Sequence, residues 1–151
     1  FIDKYFAIYQ GDLKFMDDTL KNARKTGQVE TLFGRVRRLP DLNSGVPVLR
    51  SQAERMATNM PIQGTSADLM KIAMINVDKE LYSLKGNENG EKARLILQVH
   101  DELVFEVAID WIERVGALVK QKMEQAHKFA VPLKAKISAG DNWGELEEIF
   151  S

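Results

Sequence analysis

The chain has 151 residues, 44% hydrophobic and 28% charged, with a formal net charge of −1 and no cysteine. That is the size and balance of one globular domain, and it excludes disulfides, zinc–thiolate centres and cysteine nucleophiles, which fits a reducing compartment. No apolar run reaches the ~18 residues of a membrane span, so no membrane partner is expected, and the opening FIDKYFAIYQ lacks the regions of a signal peptide.

A total charge near zero argues against a wholly basic DNA-binding module, but the average hides a split. Residues 14–55 carry nine Lys/Arg against five acids, and residues 56–151 carry eleven against fifteen. One reading is a polyanion docked on the first part; the other is two solvated faces.

In chain order, residues 1–26 read as helix. Ile2, Tyr5, Phe6, Tyr9, Leu13, Met16, Leu20 and Ala23 recur at helical spacing, with an interruption near Gln10–Gly11 and a stop at Gly27. The pattern is already running at Phe1, as expected of a piece of a longer chain. VETLFGRVRRLP (29–40) reads as a short hairpin around Gly34, and 41–49 as loop. A short helix is expected over 50–59, ending before Pro61, and a second over 65–84. Thr65 would cap the second, with Asp68 three residues on, and Met70, Ala73, Met74, Val77, Leu81 and Leu84 form its stripe. Residues 85–92 are a polar loop.

RLILQVHDELVFEV (94–107) changes character. Two apolar, β-rich runs flank His100–Asp101, which predicts an antiparallel hairpin tipped by those two residues and covered on both faces. Asp110 and Glu113 open a helix at about 110–129, with Ile112, Val115, Val119, Met123 and Ala126 facing in. Pro132 starts a last strand, in which Leu133, Ala135 and Ile137 alternate with Lys134, Lys136 and Ser138. The order predicts an α+β fold, an antiparallel sheet backed by helices.

The hairpin tip is where chemistry is expected. His-Asp followed by Glu102 is poor turn chemistry, and local choices of that kind concentrate at functional sites. Two carboxylates at a strand end suit a hard cation such as Mg²⁺; the alternative is a solvated acidic turn. A metal held by carboxylates beside the basic RVRR stretch, Arg50 and Arg55 suggests phosphate chemistry. Asn59 and Gln63, in NMPIQGT, are uncharged donors suited to minor-groove base edges, or else only caps. Trp111 and Trp143 read as packing residues, and His127 as a residue near a helix C-terminus.

VETLFGRVRRLPDL (29–42), ERMATNMPIQGTSADLMKIAM (54–74), LQVHDELVFEV (97–107) and PLKAKISAGDNWGE (132–145), in this order, closely resemble the C-terminal part of family A DNA polymerases, the bacterial DNA polymerase I type. The resemblance covers nearly the whole chain. It implies a palm sheet with the His-Asp hairpin at its centre of chemistry. Residues 1–60 would be the end of the fingers–palm connection and residues 61–151 the C-terminal part of the palm. Asp101 would be one of two aspartates holding a pair of Mg²⁺ ions, with Glu102 assisting. His100 would contact the primer terminus, Gln63 and Asn59 the minor groove, Arg55 the same network, and Arg37 the primer backbone.

The implied activity is DNA-directed DNA synthesis in the cytoplasm, at the nucleoid. The implied partners are primer-template DNA, deoxynucleoside triphosphates and the missing N-terminal part of the same polymerase. The family's other metal aspartate, in a DYSQIE-type segment, and its nucleotide-gripping fingers helix are not in this sequence. The piece alone is therefore expected to be inactive. The rival readings are a non-catalytic DNA-binding or structural remnant and a small Mg²⁺-dependent phosphoesterase built on His100, Asp101 and Glu102. A further departure from the family is Gln10–Gly11, where members often carry a helix-breaking proline.

Overall fold

The computed structural model describes residues 2–150. Phe1 and Ser151, the outer ends of the ranges above, lie outside the described residues, as do the side chains of Ile2, Asp3 and Phe150. Among the described residues no helix is long and apolar enough to cross a membrane. The chain divides into two compact units at the Asp68–Leu69 junction. Helices combine with small antiparallel sheets, an α+β arrangement.

In the first unit, α1 (Ile2–Ile8) and α2 (Gln10–Thr26) are separated at Tyr9, whose backbone leaves the helical region at φ −103° and ψ 62°. The break falls beside the expected Gln10–Gly11. Gly27 ends α2 in the left-handed conformation, φ 72°, and its N–H donates to the Ala23 carbonyl. β1 (Gln28–Glu30) and β2 (Val36–Arg38) pair antiparallel in the register Val29 to Arg37. Thr31 closes the loop between them: its hydroxyl accepts the Arg35 N–H at 3.1 Å, and Gly34 turns at φ 81°. A 3-10 turn (Pro40–Asn43) buries Leu42. Ala23, Val29, Leu39, Leu42, Ala53, Ala57 and Met60 form the core of this unit.

The expected pair of helices around Pro61 is a single helix, α3 (Pro47–Ser83), with Pro61 inside it. Proline in a helix interior costs about 3 kcal/mol, because it removes one ladder donor and crowds the preceding turn. Helix formers on both sides, Ala53–Ala57 and Ala67–Lys71, favour continuation. Thr65 is accordingly no cap. Its hydroxyl donates back to the Pro61 carbonyl and accepts the Leu32 N–H at 2.9 Å.

The second unit is built on the end of α3, the pair β3 (Ala93–Val99) and β4 (Glu102–Val107), the helix α4 (Ile112–Glu124), and the pair β5 (Ile137–Ala139) and β6 (Glu147–Phe150). Val77, Leu81, Ala93, Val115 and Val119 are its buried centre, with Phe105, Val107, Trp111 and Met123 packed against them. Asn87, fully buried in the loop after α3, makes four side-chain hydrogen bonds, three to Lys92 and Ala93 at the start of β3 and one to the Leu81 carbonyl of α3.

Three expectations change here. The described strands form three separate two-stranded pairs, not one sheet. The helix expected to reach 129 stops at Glu124, and His127 stacks edge-on against Phe129 beyond it. The β3–β4 hairpin is not covered on both faces: Ile96 and Leu97 are exposed, beside a bulge where the register shifts between Leu95 and Leu97. β6 was not foreseen. The alternation over 133–138 does hold, with odd positions half-buried and even ones exposed, although only Ile137–Ala139 is paired strand.

Candidate functional site

Two places gather the candidate residues, one in each unit. The first is the turn between β3 and β4. Val99 pairs with Glu102, so only His100 and Asp101 lie between the strands. A two-residue hairpin loop of the primed types needs positive φ at its first central residue. His100 supplies it, at φ 52°. Histidine is one of the few residues besides glycine enriched in that region, though the conformation still strains its Cβ. Gln98 braces the turn by donating its Nε2–H to the His100 carbonyl at 2.5 Å. Further down the hairpin, Arg94 donates twice to Glu106 across the strands, at 2.8 and 2.5 Å.

The turn presents its polar groups outward. His100, Asp101 and Glu102 are all exposed, and neither carboxylate has an ion-pair partner among the described residues. Two adjacent carboxylates on a braced turn, with no described basic residue ion-paired to them, fit part of an oxygen ligand set for a hard cation. They do not complete one: among the described residues no cluster of three or more His, Cys, Asp or Glu is placed to hold a metal.

The second place is a groove of about 250 Å³ in the first unit. Met56, Asn59, Met60, Gln63 and Gly64 line one side, at the i, i+3, i+4 spacing of a single face of α3, and Arg37 from β2 lines the other. Arg37 reaches Met56, its Nη2 lying 3.2 Å from Sδ. Asn59 and Gln63 are exposed, and neither Arg37 nor Arg38 has an acidic partner among the described residues. The groove thus combines two neutral amides with a positive wall. Arg55, on the turn of α3 before Asn59, is not among its lining residues and contacts Ser51 at 3.4 Å. Arg50 turns away to donate to the Ser44 carbonyl at 3.1 Å.

A contact next to this groove leaves no signal in the sequence. Asp68 is not a capping residue: it accepts from Arg35 Nε at 2.7 Å, while Arg35 Nη2 donates to the Gly64 carbonyl at 3.0 Å. Nothing in the local sequence marks a pair 33 residues apart. Gln98 was likewise invisible, since a strand-borne glutamine reads as ordinary solvent-facing polarity. Trp111 packs as expected, with the Arg114 guanidinium 4.7 Å from its ring centroid, but Trp143 is exposed.

The family model described as DNA polymerase family A matches residues 1–145. The chain is 47% identical over 148 residues to "DNA polymerase I, thermostable" of Thermus thermophilus, which covers 98% of this chain and 17% of that protein. It is 45% identical over 147 residues to "DNA polymerase I" of Lactococcus lactis subsp. cremoris, covering 97% of this chain and 16% of that protein. Among solved structures it is similar to the POL domain of Pol1 from M. smegmatis in complex with DNA primer-template and dNTP, with a TM-score of 0.81, 41% identity, and 88% of this chain and 23% of that one covered. The chain belongs to DNA polymerase family A. It spans about a sixth of the length of these curated relatives.

Proposed function

We propose that this chain is the C-terminal portion of a DNA-directed DNA polymerase, adding deoxynucleotides to a primer 3′ end. The observation that carries the reading is the exposed Asp101, without an ion-pair partner among the described residues, on a turn fixed by His100 and Gln98, in a chain whose relatives are DNA polymerases I. In this reading residues 61–151 are palm, residues 1–60 the end of the fingers–palm connection, and the β3–β4 hairpin part of the palm sheet. The work is done with the DNA, in the cytoplasm at the nucleoid.

Asp101 takes the role of a metal ligand, with Glu102 beside it to adjust the local charge. A pair of Mg²⁺ ions, when bound, would lower the pKa of the primer 3′-hydroxyl and neutralise the departing pyrophosphate. The braced turn limits the freedom of the Asp101 carboxylate, so little reorganisation is needed when charge develops. His100 meets the primer terminus. Gln63 and Asn59 donate to purine N3 and pyrimidine O2, acceptors similarly placed in every correct pair, and so test pair shape without reading sequence. Arg37 and Arg55 neutralise backbone phosphates and supply affinity that falls with salt.

A ligand set that needs a second aspartate is not filled by Asp101 and Glu102, so the isolated 151 residues are expected not to extend a primer. In the complete polymerase, Asp101→Ala is expected to abolish turnover and leave primer-template binding largely intact. Extension by the isolated chain, or a near-normal rate in the variant, contradicts the assignment.

A further inference from the structure

Resting on the reading of the groove as a DNA contact, we infer that Arg35 and Asp68 are positioning residues. Together they fix the spacing between β2 and α3 and thereby aim Arg37, Asn59 and Gln63 at the duplex. Neither residue lines the groove. Each adjoins a lining residue: Arg35 is two residues before Arg37 and donates to the Gly64 carbonyl, and Asp68 is one helical turn beyond Gly64.

The clamp has three polar contacts and one steric one. Arg35 donates to Asp68 Oδ1 at 2.7 Å and to the Gly64 carbonyl at 3.0 Å, and the Leu32 N–H donates to Thr65 Oγ1 at 2.9 Å. Gly64 lies so close to the 31–35 loop that an added Cβ would stand 2.7 Å from Thr31 Cγ2. All four converge on the stretch of α3 just past Pro61, the turn that follows the one in which the proline removes a ladder bond to the Ala57 carbonyl. The Asp68 side chain is only 12% exposed, and its Oδ2 is buried without a hydrogen bond, so the carboxylate depends on Arg35. A guanidinium with one edge on a carboxylate and another on a backbone carbonyl sets both distance and angle, which an ammonium would not.

A groove that tests pair shape needs donors fixed in space. Loosening the clamp lets Gln63 and Asn59 follow a misshapen pair, so discrimination against mismatched primer ends falls while DNA is still bound. The test is a double-mutant cycle in the complete polymerase, reading the ratio of single-turnover extension rates for matched and mismatched primer termini. Arg35→Ala is expected to lower that ratio on the order of tenfold, short of the ~100-fold attached to an ångström-scale misplacement. Gln63→Ala is expected to do the same, and the double variant to do no worse than either alone, because Arg35 acts through Gln63. Arg35→Lys, which keeps the charge but not the fork, is expected to fall between wild type and Arg35→Ala, and carries the same comparison if Arg35→Ala does not fold.

A ratio untouched by Arg35→Ala or, failing that, Arg35→Lys overturns the inference. So do effects of Arg35 and Gln63 that simply multiply, the result of a merely structural role. If Gln63→Ala itself leaves discrimination intact, the groove is not the duplex reader, and that failure is separate from a failure of the clamp.

Discussion

Asn87 holds Ala93 from both sides: its Nδ2–H donates to the Ala93 carbonyl at 3.0 Å, and its Oδ1 accepts the Ala93 N–H at 2.8 Å. The same amide donates to the Leu81 carbonyl and accepts the Lys92 N–H, so one fully buried side chain joins the end of α3 to the first residue of β3. All of its usual hydrogen-bonding capacity is spent on backbone. Asn87→Ala is expected to destabilise the chain by about 3 kcal/mol, since it leaves buried backbone groups without partners. Denaturant unfolding measures this. Asn89→Gly, two residues on at φ 62°, is the matched control and is expected to be near neutral or slightly stabilising. Equal effects for the two would show that the Asn87 network is not what organises the loop.

Gly64→Ala sets helix propensity against packing. Alanine favours a helix interior by about 1 kcal/mol, but its Cβ would meet Thr31 Cγ2 at 2.7 Å and the Met60 thioether at 2.9 Å. The methionine can swing aside; the buried, β-branched threonine cannot. A net loss of about 1–2 kcal/mol is expected. Thr31→Ser removes Cγ2 while keeping the hydroxyl that accepts the Arg35 N–H, and it should recover most of that loss. No recovery in the double variant would place the strain elsewhere.

The His100 turn predicts a trade between stability and function. A left-handed conformation strains any Cβ, so His100→Gly is expected to be more stable than His100→Ala by about 1 kcal/mol. In the complete polymerase both variants lose the imidazole, and both are expected to slow extension from a primer end. Glycine outperforming histidine in extension would remove the imidazole from the mechanism.

Glu88 carries a pH signature. Backbone N–H groups, its own first and then that of Gly86 at 3.2 Å, hold its carboxyl below the ordinary value of 4.5. A folded-state value below the unfolded one contributes stability that is present above about pH 4.5 and is lost as pH falls through the folded-state value. A carboxyl titration followed by NMR should give a Glu88 midpoint lower than that of an exposed, unbonded glutamate. Glu88→Gln should flatten its share of the acid dependence. A midpoint at or above the ordinary value would show that the Gly86 contact does not persist in solution.

The local chemistry of the chain was enough to place most of its elements. Helical spacing plus Gly27 located α2, β-rich runs around His100–Asp101 located β3 and β4, and alternation located the segment after Pro132, because each signal lies within a few residues of the structure it reports. Propensity misled at Pro61, where it predicts two helices and the fold keeps one. It also missed β6, whose pairing with β5 lies across an intervening turn.

Of the candidate site, the sequence by itself marked the candidate residues: a carboxylate pair behind a histidine, two amides on one helical face, and a basic strand. The motifs that hold them also placed the chain in its polymerase family. The tertiary structure alone decided how those groups are held. It put Arg37 across a groove from Asn59 and Gln63, took Asp68 away from a cap and gave it to Arg35, and set Gln98 against the His100 carbonyl. The physical reason is separation along the chain: a clamp between residues 35 and 68 leaves no periodicity or spacing to read, and only folding brings its two charges together.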